Sequence, residues 1–337
     1  MALTQNWKKG DKYKCFILGE DTETFGPGRK IDIPTRGEFY LSLLDELSID
    51  EEERKKEYKK LCKYDASQNK NSFIGNKLVY HYDKVGLIET RYKGGPNLVE
   101  IYEKDPQKYW ERVCKMDRRK GKEPTIRDAY ELNKAITFFK PTTAKHLVQR
   151  FCGLGTEVSN MKVFDPCAGW SGRLLGTLSA GHIYIGTDTN PVVAKRTTSL
   201  LNYLHENHLI TEEQWIESIV LHQSCLDPLP DSIWVQTCDF SFTSPPYGNL
   251  EVYNGMKVFV DDDDYYKNFL IPMIKKMLVM VKPGCWVAVN VSPKIYEKLT
   301  DVYEYPVCDD RIDFLQQMGQ QSGKKQDYVY CWQKPAE

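Results

Sequence analysis

The sequence has almost no net charge, no long apolar run and no paired-cysteine motif. Over 337 residues, Lys and Arg number 46 and Asp and Glu 47, a formal net charge of -1. That balance excludes a uniformly basic nucleic-acid coat protein but leaves room for a locally basic face. No stretch reaches the roughly 18 apolar residues of a membrane span. The opening MALTQNWKKGDKYKCF has no apolar signal core. The expectation is a soluble, cytoplasmic protein with no membrane partner. There are 10 cysteines, yet no two are spaced as CxxC and none shares zinc-finger spacing with a histidine. No metal site is therefore expected, and the thiols read as reduced and in part buried. Internal repeats and low-complexity tracts are also missing. What is there is globular: 41% hydrophobic and 28% charged residues. The length suits one large domain with an appendage.

The charge is divided unevenly. Residues 1–140 hold 29 Lys/Arg against 24 Asp/Glu, and the remainder holds 17 against 23. Residues 37–64 read as helical, with Leu41, Leu43, Leu44 and Leu47 as an apolar stripe and EEERKKEYKKL carrying charges at helical spacing. Residues 78–102 hold short apolar runs broken by Gly and Pro, which read as strands and turns. Residues 1–125 are thus expected to form a small α+β module. Tyr80, Tyr82, Tyr92 and Tyr102 in it read first as core and second as stacking platforms for unpaired bases. The segment KMDRRKGKEP is an exposed linker or basic loop, and Arg118, Arg119, Lys120 and Lys122 are candidate phosphate contacts. The earlier cluster Arg54-Lys55-Lys56 with Lys59-Lys60 reads first as a solvated helix face.

From residue 126 to 337 the texture changes to alternating helices and strands. MKVFDP, IYIGTD, SIVLHQS, TCDFSFTS and CWVAVNVS read as strands separated by helices, with DYVYCWQK as a terminal strand. The pattern predicts an α/β fold of Rossmann-like type: a doubly wound, mostly parallel sheet covered on both faces. The run Asp261–Asp264 directly precedes helical YYKNFLI and is expected to be its acidic cap.

Two motifs carry chemistry. In VFDPCAGWSGR, Asp165 and Pro166 end a strand, and Ala168, Gly169, Trp170 and Gly172 form a turn before a helix. Ligands of such sheets bind beyond the carboxyl ends of the strands. The spacing is neither GxGxxG nor GxxxxGK[ST], which argues against dinucleotides and triphosphates. About twenty residues on, IYIGTD ends at Asp188, an acid placed to accept both hydroxyls of a ribose. A nucleoside ligand without a pyrophosphate meets this description, and S-adenosylmethionine is one. The second motif is SFTSPPYGN at 241–249. Two prolines force the backbone out of the strand rigidly. Ser244 and the carbonyl of Pro245 offer two acceptors for the two protons of an exocyclic amine, and Tyr247 offers a flat face for its base. Pro246 completes the corner. Such a base has to leave its stack, so a flipped or single-stranded substrate is implied.

DPCAGWSGR followed by TSPPYG resembles the S-adenosylmethionine-dependent amino-methyltransferases of nucleic acids, the N4-cytosine and N6-adenine class. The resemblance covers roughly residues 130–337 and extends to FFKPTTAKHLV at 138–148. It implies that Lys140, Pro141 and Thr142 line the cofactor pocket beside the methionine part, and that Ser224-Cys225 lies where the family contacts adenine, although the family's acid is absent there. It further implies site-specific DNA methylation with base flipping, in a restriction–modification or viral setting. Serine in the first motif position resembles many cytosine-N4 enzymes. An RNA amino-methyltransferase acting on tRNA or rRNA keeps the chemistry and changes the polymer. An inert nucleic-acid-binding subunit keeps only the fold. Sequence recognition is left to residues 1–125 and the loop 248–264, because the stretches between and after the two motifs are used up by the sheet. That departs from the usual motif orders of the family.

Overall fold

Neighbouring residues of the central strands bury in opposite directions. Val163 joins an apolar cluster with Leu147, Val148, Phe240, Phe242 and Ala288, whereas Phe164 joins another with Met273, Met277, Val287, Val289 and Val291. A strand that is apolar on both faces needs cover on both. The structure, a computed structural model, describes residues 15–16, 30–31, 33–67, 71–118, 125–134, 137–153, 159–230, 236–252, 256–314 and 327–336.

In chain order the elements are β1 (Cys15–Phe16), β2 (Lys30–Ile31), α1 (Arg36–Glu46), α2 (Glu51–Lys63), α3 (Asn76–Glu89), β3 (Arg91–Tyr92), α4 (Leu98–Lys104), α5 (Pro106–Arg118), α6 (Ile126–Asn133) and α7 (Pro141–Cys152). There follow β4 (Lys162–Asp165), α8 (Gly172–Ser179), β5 (Ile183–Asp188), α9 (Pro191–Glu206), α10 (Glu212–Glu217), β6 (Ile219–His222), β7 (Cys238–Thr243) and β8 (Glu251–Val252). The chain continues with α11 (Asp262–Tyr265), a π turn (Tyr266–Leu270), α12 (Ile271–Met280), β9 (Val281–Val291), α13 (Pro293–Asp301), β10 (Asp310–Phe314) and β11 (Asp327–Gln333).

Seven strands form one sheet in the order β10-β11-β9-β7-β4-β5-β6. Strands β4, β5, β6, β7 and β9 run parallel, while β11 is antiparallel to both β9 and β10. Helix α7 supplies Leu147 and Val148 to one face, and α12 supplies Met273 and Met277 to the other. This is the expected Rossmann-like, doubly wound sheet. Its strand order reverses between β4 and β7, the switch point where such sheets open a crevice.

The chain divides into two compact units, residues 1–49 with 83–137 and residues 50–82 with 138–337. A single boundary at 125/126 was expected. Instead α2 and the turn after it belong with the sheet. Buried Lys145 on α7 explains this: its ammonium donates to the carbonyls of Leu61 and Cys62, both at 2.7 Å. Those are end carbonyls of α2, and Leu61 O also accepts the Tyr64 cap amide at 3.3 Å.

The expected strands at 78–102 are helices α3 and α4, so the α+β reading of the first module is corrected to mostly helical, with only two-residue strands among the described residues. Burial at Asn76, Val79, Asp83, Leu87 and Thr90 follows helical spacing. Tyr102 is core, as expected, stacked on Phe39 at 3.8 Å between ring centroids. Tyr92 is about half exposed.

Candidate active site

The turn after β4 is held from inside. Asp165 has no solvent exposure. One carboxylate oxygen accepts from Arg173 Nε at 2.6 Å and from the Tyr184 hydroxyl at 2.5 Å, and the other from the Thr243 hydroxyl at 2.8 Å and the Cys167 amide at 3.2 Å. An ionised carboxylate has about four acceptor sites, and these donors fill them. Asp165 therefore has nothing left for a ligand, which corrects its expected role: it is the anchor of the turn. Arg173 also donates to the carbonyls of Cys167 and, at 3.2 Å, Ala168. The turn is tied to β5 as well, through Ala168 N–H to Thr187 O at 2.9 Å and the Thr187 hydroxyl to Pro166 O at 2.7 Å.

Gly169 adopts φ +51°, a left-handed conformation that glycine takes without strain. Its N–H donates to Asp188 Oδ2 at 2.8 Å, and Asn190 N–H donates to Asp188 Oδ1 at 2.8 Å. Asp188 is only partly buried by its surface exposure, and each of its oxygens keeps a second acceptor site. Burial nevertheless raises its pKa above the usual carboxylate value. Arg196 donates to the Gly169 carbonyl at 2.6 Å and lies over the Trp170 ring at 5.5 Å, so helix α9 braces the turn that its own strand faces.

A Cβ on Gly172 would stand 1.8 Å from the Phe139 carbonyl oxygen. Only glycine lets the backbone before α7 approach α8 this closely. The segment 139–142 thus adjoins the turn through Phe139 and Pro141, while the Lys140 and Thr142 side chains turn elsewhere. Lys140 donates to the backbone and side chain of Asn71 at 3.1 and 2.9 Å and lies over the Phe73 ring at 4.2 Å. The Thr142 hydroxyl donates to Ser72 O at 2.8 Å. Pro141 packs close to Gly75. The expectation that these three side chains line a cofactor pocket is corrected for two of them: Lys140 and Thr142 hold the segment 71–75, while Pro141 packs against both Gly75 and Gly172. The partner segment had no signal in the sequence, because it lies some seventy residues away.

Ser224 and Cys225 follow β6. Ser224 caps its own turn, accepting from Leu226 N–H at 3.2 Å and donating its amide to Asp227 at 3.1 Å. Cys225 is buried, and its thiol hydrogen-bonds Cys167, which together with burial drives the Cys167 thiol pKa well up. The Cys167 thiol is therefore no nucleophile at neutral pH.

The second motif leaves the sheet beside the first. Strands β4 and β7 are parallel neighbours, with Phe164 opposite Ser241. The Thr243–Asp165 hydrogen bond joins the last residue of β7 to the last residue of β4. Ser244 to Tyr247 then run out over the same edge as Pro166 to Gly169. Ser244 Oγ donates to Asn290 Oδ1 at 3.2 Å, and the Tyr247 hydroxyl donates to the same oxygen at 3.0 Å. The Pro246 carbonyl accepts from buried Tyr265 at 3.0 Å. Tyr265 leads into the π turn, a distortion frequent at functional sites. Asn249 clamps the next loop by exchanging two hydrogen bonds with the Phe259 backbone, at 2.6 and 2.9 Å. Asn290 and Tyr265 escaped the sequence reading. Asn290 had one available signal, an amide in the otherwise apolar run CWVAVNV.

Asp261 caps α11 through the Asp264 amide at 2.8 Å, as expected of the acidic run. Arg119, Lys120 and Lys122 lie outside the described residues, and Arg118 is the last residue of α5.

No family model matches the chain, and no curated protein matches it. Among solved structures, TrmN from Thermus thermophilus overlaps at 16% identity and a TM-score of 0.38, covering 60% of this chain and 50% of that one. A human methyltransferase 10 domain containing protein overlaps at 16% identity and 0.39, covering 68% and 98%. The tRNA (m1A58) methyltransferase TrmI from Aquifex aeolicus overlaps at 10% identity and 0.39, covering 60% and 72%. The chain spans half the length of the TrmN structure that it matches.

Proposed function

We propose that the chain moves a methyl group from S-adenosylmethionine to the exocyclic amino nitrogen of a base in nucleic acid. The observation that supports this reading is the Thr243–Asp165 hydrogen bond at 2.8 Å, because it joins the strand end where the Ser-Pro-Pro-Tyr corner begins to the strand end that opens the glycine turn. The residues of the turn fit this cofactor. Asp188 keeps two acceptor sites for a ribose diol. The Gly169 N–H is spent on Asp188 and does not point at a phosphate.

The cofactor, when bound, supplies an electrophilic methyl on a sulfonium sulfur. The chain's own part is placement. Ser244 Oγ and the Pro245 carbonyl each accept one N–H of the amine, which turns the nitrogen lone pair out of the ring plane and towards the methyl. Tyr247 stacks on the base. Held at the turn, the cofactor would supply the methyl to that lone pair and keep the C–S bonding pair on its sulfur, and the amine, gripped by Ser244 and Pro245, would shed one proton to water. Holding both partners in line is worth several kcal/mol of barrier, and no covalent intermediate on the enzyme is required.

Serine at the first corner position favours cytosine N4 in DNA, through the resemblance to that class. Methyl transfer from labelled cofactor to DNA and, separately, to RNA, followed by nucleoside analysis, tests the proposal. Label on N4-methylcytosine or N6-methyladenine is the expected result, and the polymer that carries it names the substrate. No label in either polymer leaves an inert binding subunit and removes the proposal.

A further inference from the structure

Asn290 is a polar residue where the sheet alone would take another valine. It lies on β9 between Val289 and Val291, paired in register with Val329 of β11, and is 1% exposed. Both ends of its amide are engaged. Nδ2 donates to the Tyr328 carbonyl at 3.0 Å. A backbone carbonyl can only accept, so this contact fixes which way the amide points and aims Oδ1 at the corner. Both corner hydroxyls, Ser244 Oγ and Tyr247 Oη, give their protons to that one oxygen.

A hydroxyl has a single proton. Once it is spent, the oxygen offers only lone pairs to whatever docks. Tyr265 meanwhile occupies the carbonyl of Pro246, and the Pro245 carbonyl can only accept. The corner therefore presents acceptors to its ligand. We infer that Asn290 is a positioning residue that sets this polarity and so selects an amine-bearing base over its carbonyl-bearing counterpart. The inference rests on the amino-methyltransferase reading for the identity of the ligand. A cytosine or adenine amine satisfies the acceptors with its two protons. A uracil or hypoxanthine oxygen sets lone pair against lone pair and leaves buried groups unpaired, the arrangement that gives sites their sharpest discrimination. Without the amide oxygen, either hydroxyl is free to rotate and donate, and the carbonyl base becomes acceptable.

The test is binding, read separately from turnover. Fluorescence anisotropy is measured with short single-stranded oligo-dC against oligo-dU, and oligo-dA against oligo-dI, each with S-adenosylhomocysteine present. The wild-type chain is expected to prefer the amine member of each pair by on the order of tenfold or more. Asn290→Leu should reduce that preference to about twofold or less while affinity for S-adenosylhomocysteine is unchanged. Asn290→Asp, which still accepts from both hydroxyls, should retain it. That rescue is not expected of a residue that merely fills space. A wild-type chain with no amine preference overturns the inference whether or not any variant folds. An Asn290→Leu chain that keeps the full preference, or an Asn290→Asp chain that loses it while folded, also overturns it. These outcomes differ from failure of the underlying reading, which appears as no binding of S-adenosylhomocysteine and no methyl transfer by the wild-type chain.

Discussion

The turn after β4 and the corner after β7 leave the sheet side by side, yet they spend their polar groups differently. In the turn, Asp165 takes four protein donors and Arg173 draws the carbonyls of Cys167 and Ala168 inward. In the corner, Ser244 and Tyr247 both give their protons to one amide oxygen. The first arrangement makes a rigid seat, and the second spends the hydroxyl protons on one partner. Polar residues of similar appearance in sequence thus divide into those that hold the edge and those that, on the proposed function, act on a ligand. The division is made by how many partners each already has.

The contrast is sharpest at Asp165. Asp165→Ala leaves the Arg173 guanidinium buried without its counter-charge, and it should lower stability by about 3–5 kcal/mol, as measured by denaturant unfolding. A variant that unfolds normally would break the comparison. At the corner the expected loss is in turnover. Ser244→Ala should reduce kcat on the order of 10²-fold, with the unfolding midpoint and cofactor affinity near wild type in calorimetry. Tyr247→Ala should weaken oligonucleotide binding by roughly 1–3 kcal/mol without changing cofactor affinity.

Asp188 stands between these extremes, since it both caps the turn and keeps acceptor sites. Asp188→Ala should weaken cofactor binding by roughly 1.5–3 kcal/mol while the folded state survives. The smallest effect concerns pH. Burial raises the Asp188 pKa, so in the folded chain this group takes up its proton at a higher pH than a free carboxylate would. Protonation removes acceptor capacity. Cofactor affinity should therefore fall as pH drops through the raised value, by about a few-fold per unit. Asp188→Asn should bind more weakly throughout and lose that slope. A wild-type affinity flat through the acidic range would remove Asp188 from the ligand contacts.

Much of the sheet was legible because its strands are apolar on both faces, and CWVAVNV or IYIGTD admits few other fates. The corner was legible because two prolines after a strand leave the backbone little choice. The helices at 76–89 and 98–104 were not, since LVYHY and LVEIY have the composition of strands. Period became visible only when burial picked out Val79, Asp83 and Leu87 on one side. The partners of Lys140, Lys145, Ser244 and Tyr247 were invisible for a different reason: each lies some forty to eighty residues away along the chain.

The sequence by itself determined the alternation of strands and helices, the glycine turn, the rigid Ser-Pro-Pro-Tyr exit and the acid that ends β5. These depend on local sterics and on the period of apolar residues, which short stretches carry within themselves. Only the tertiary structure decided that Asp165 is sealed while Asp188 is not, that the segment 71–75 claims Lys140 and Thr142, and that Asn290 collects both corner hydroxyls. Each of these is a question of which donors and acceptors are already satisfied. That count is settled by groups brought together from distant parts of the chain when the sheet closes.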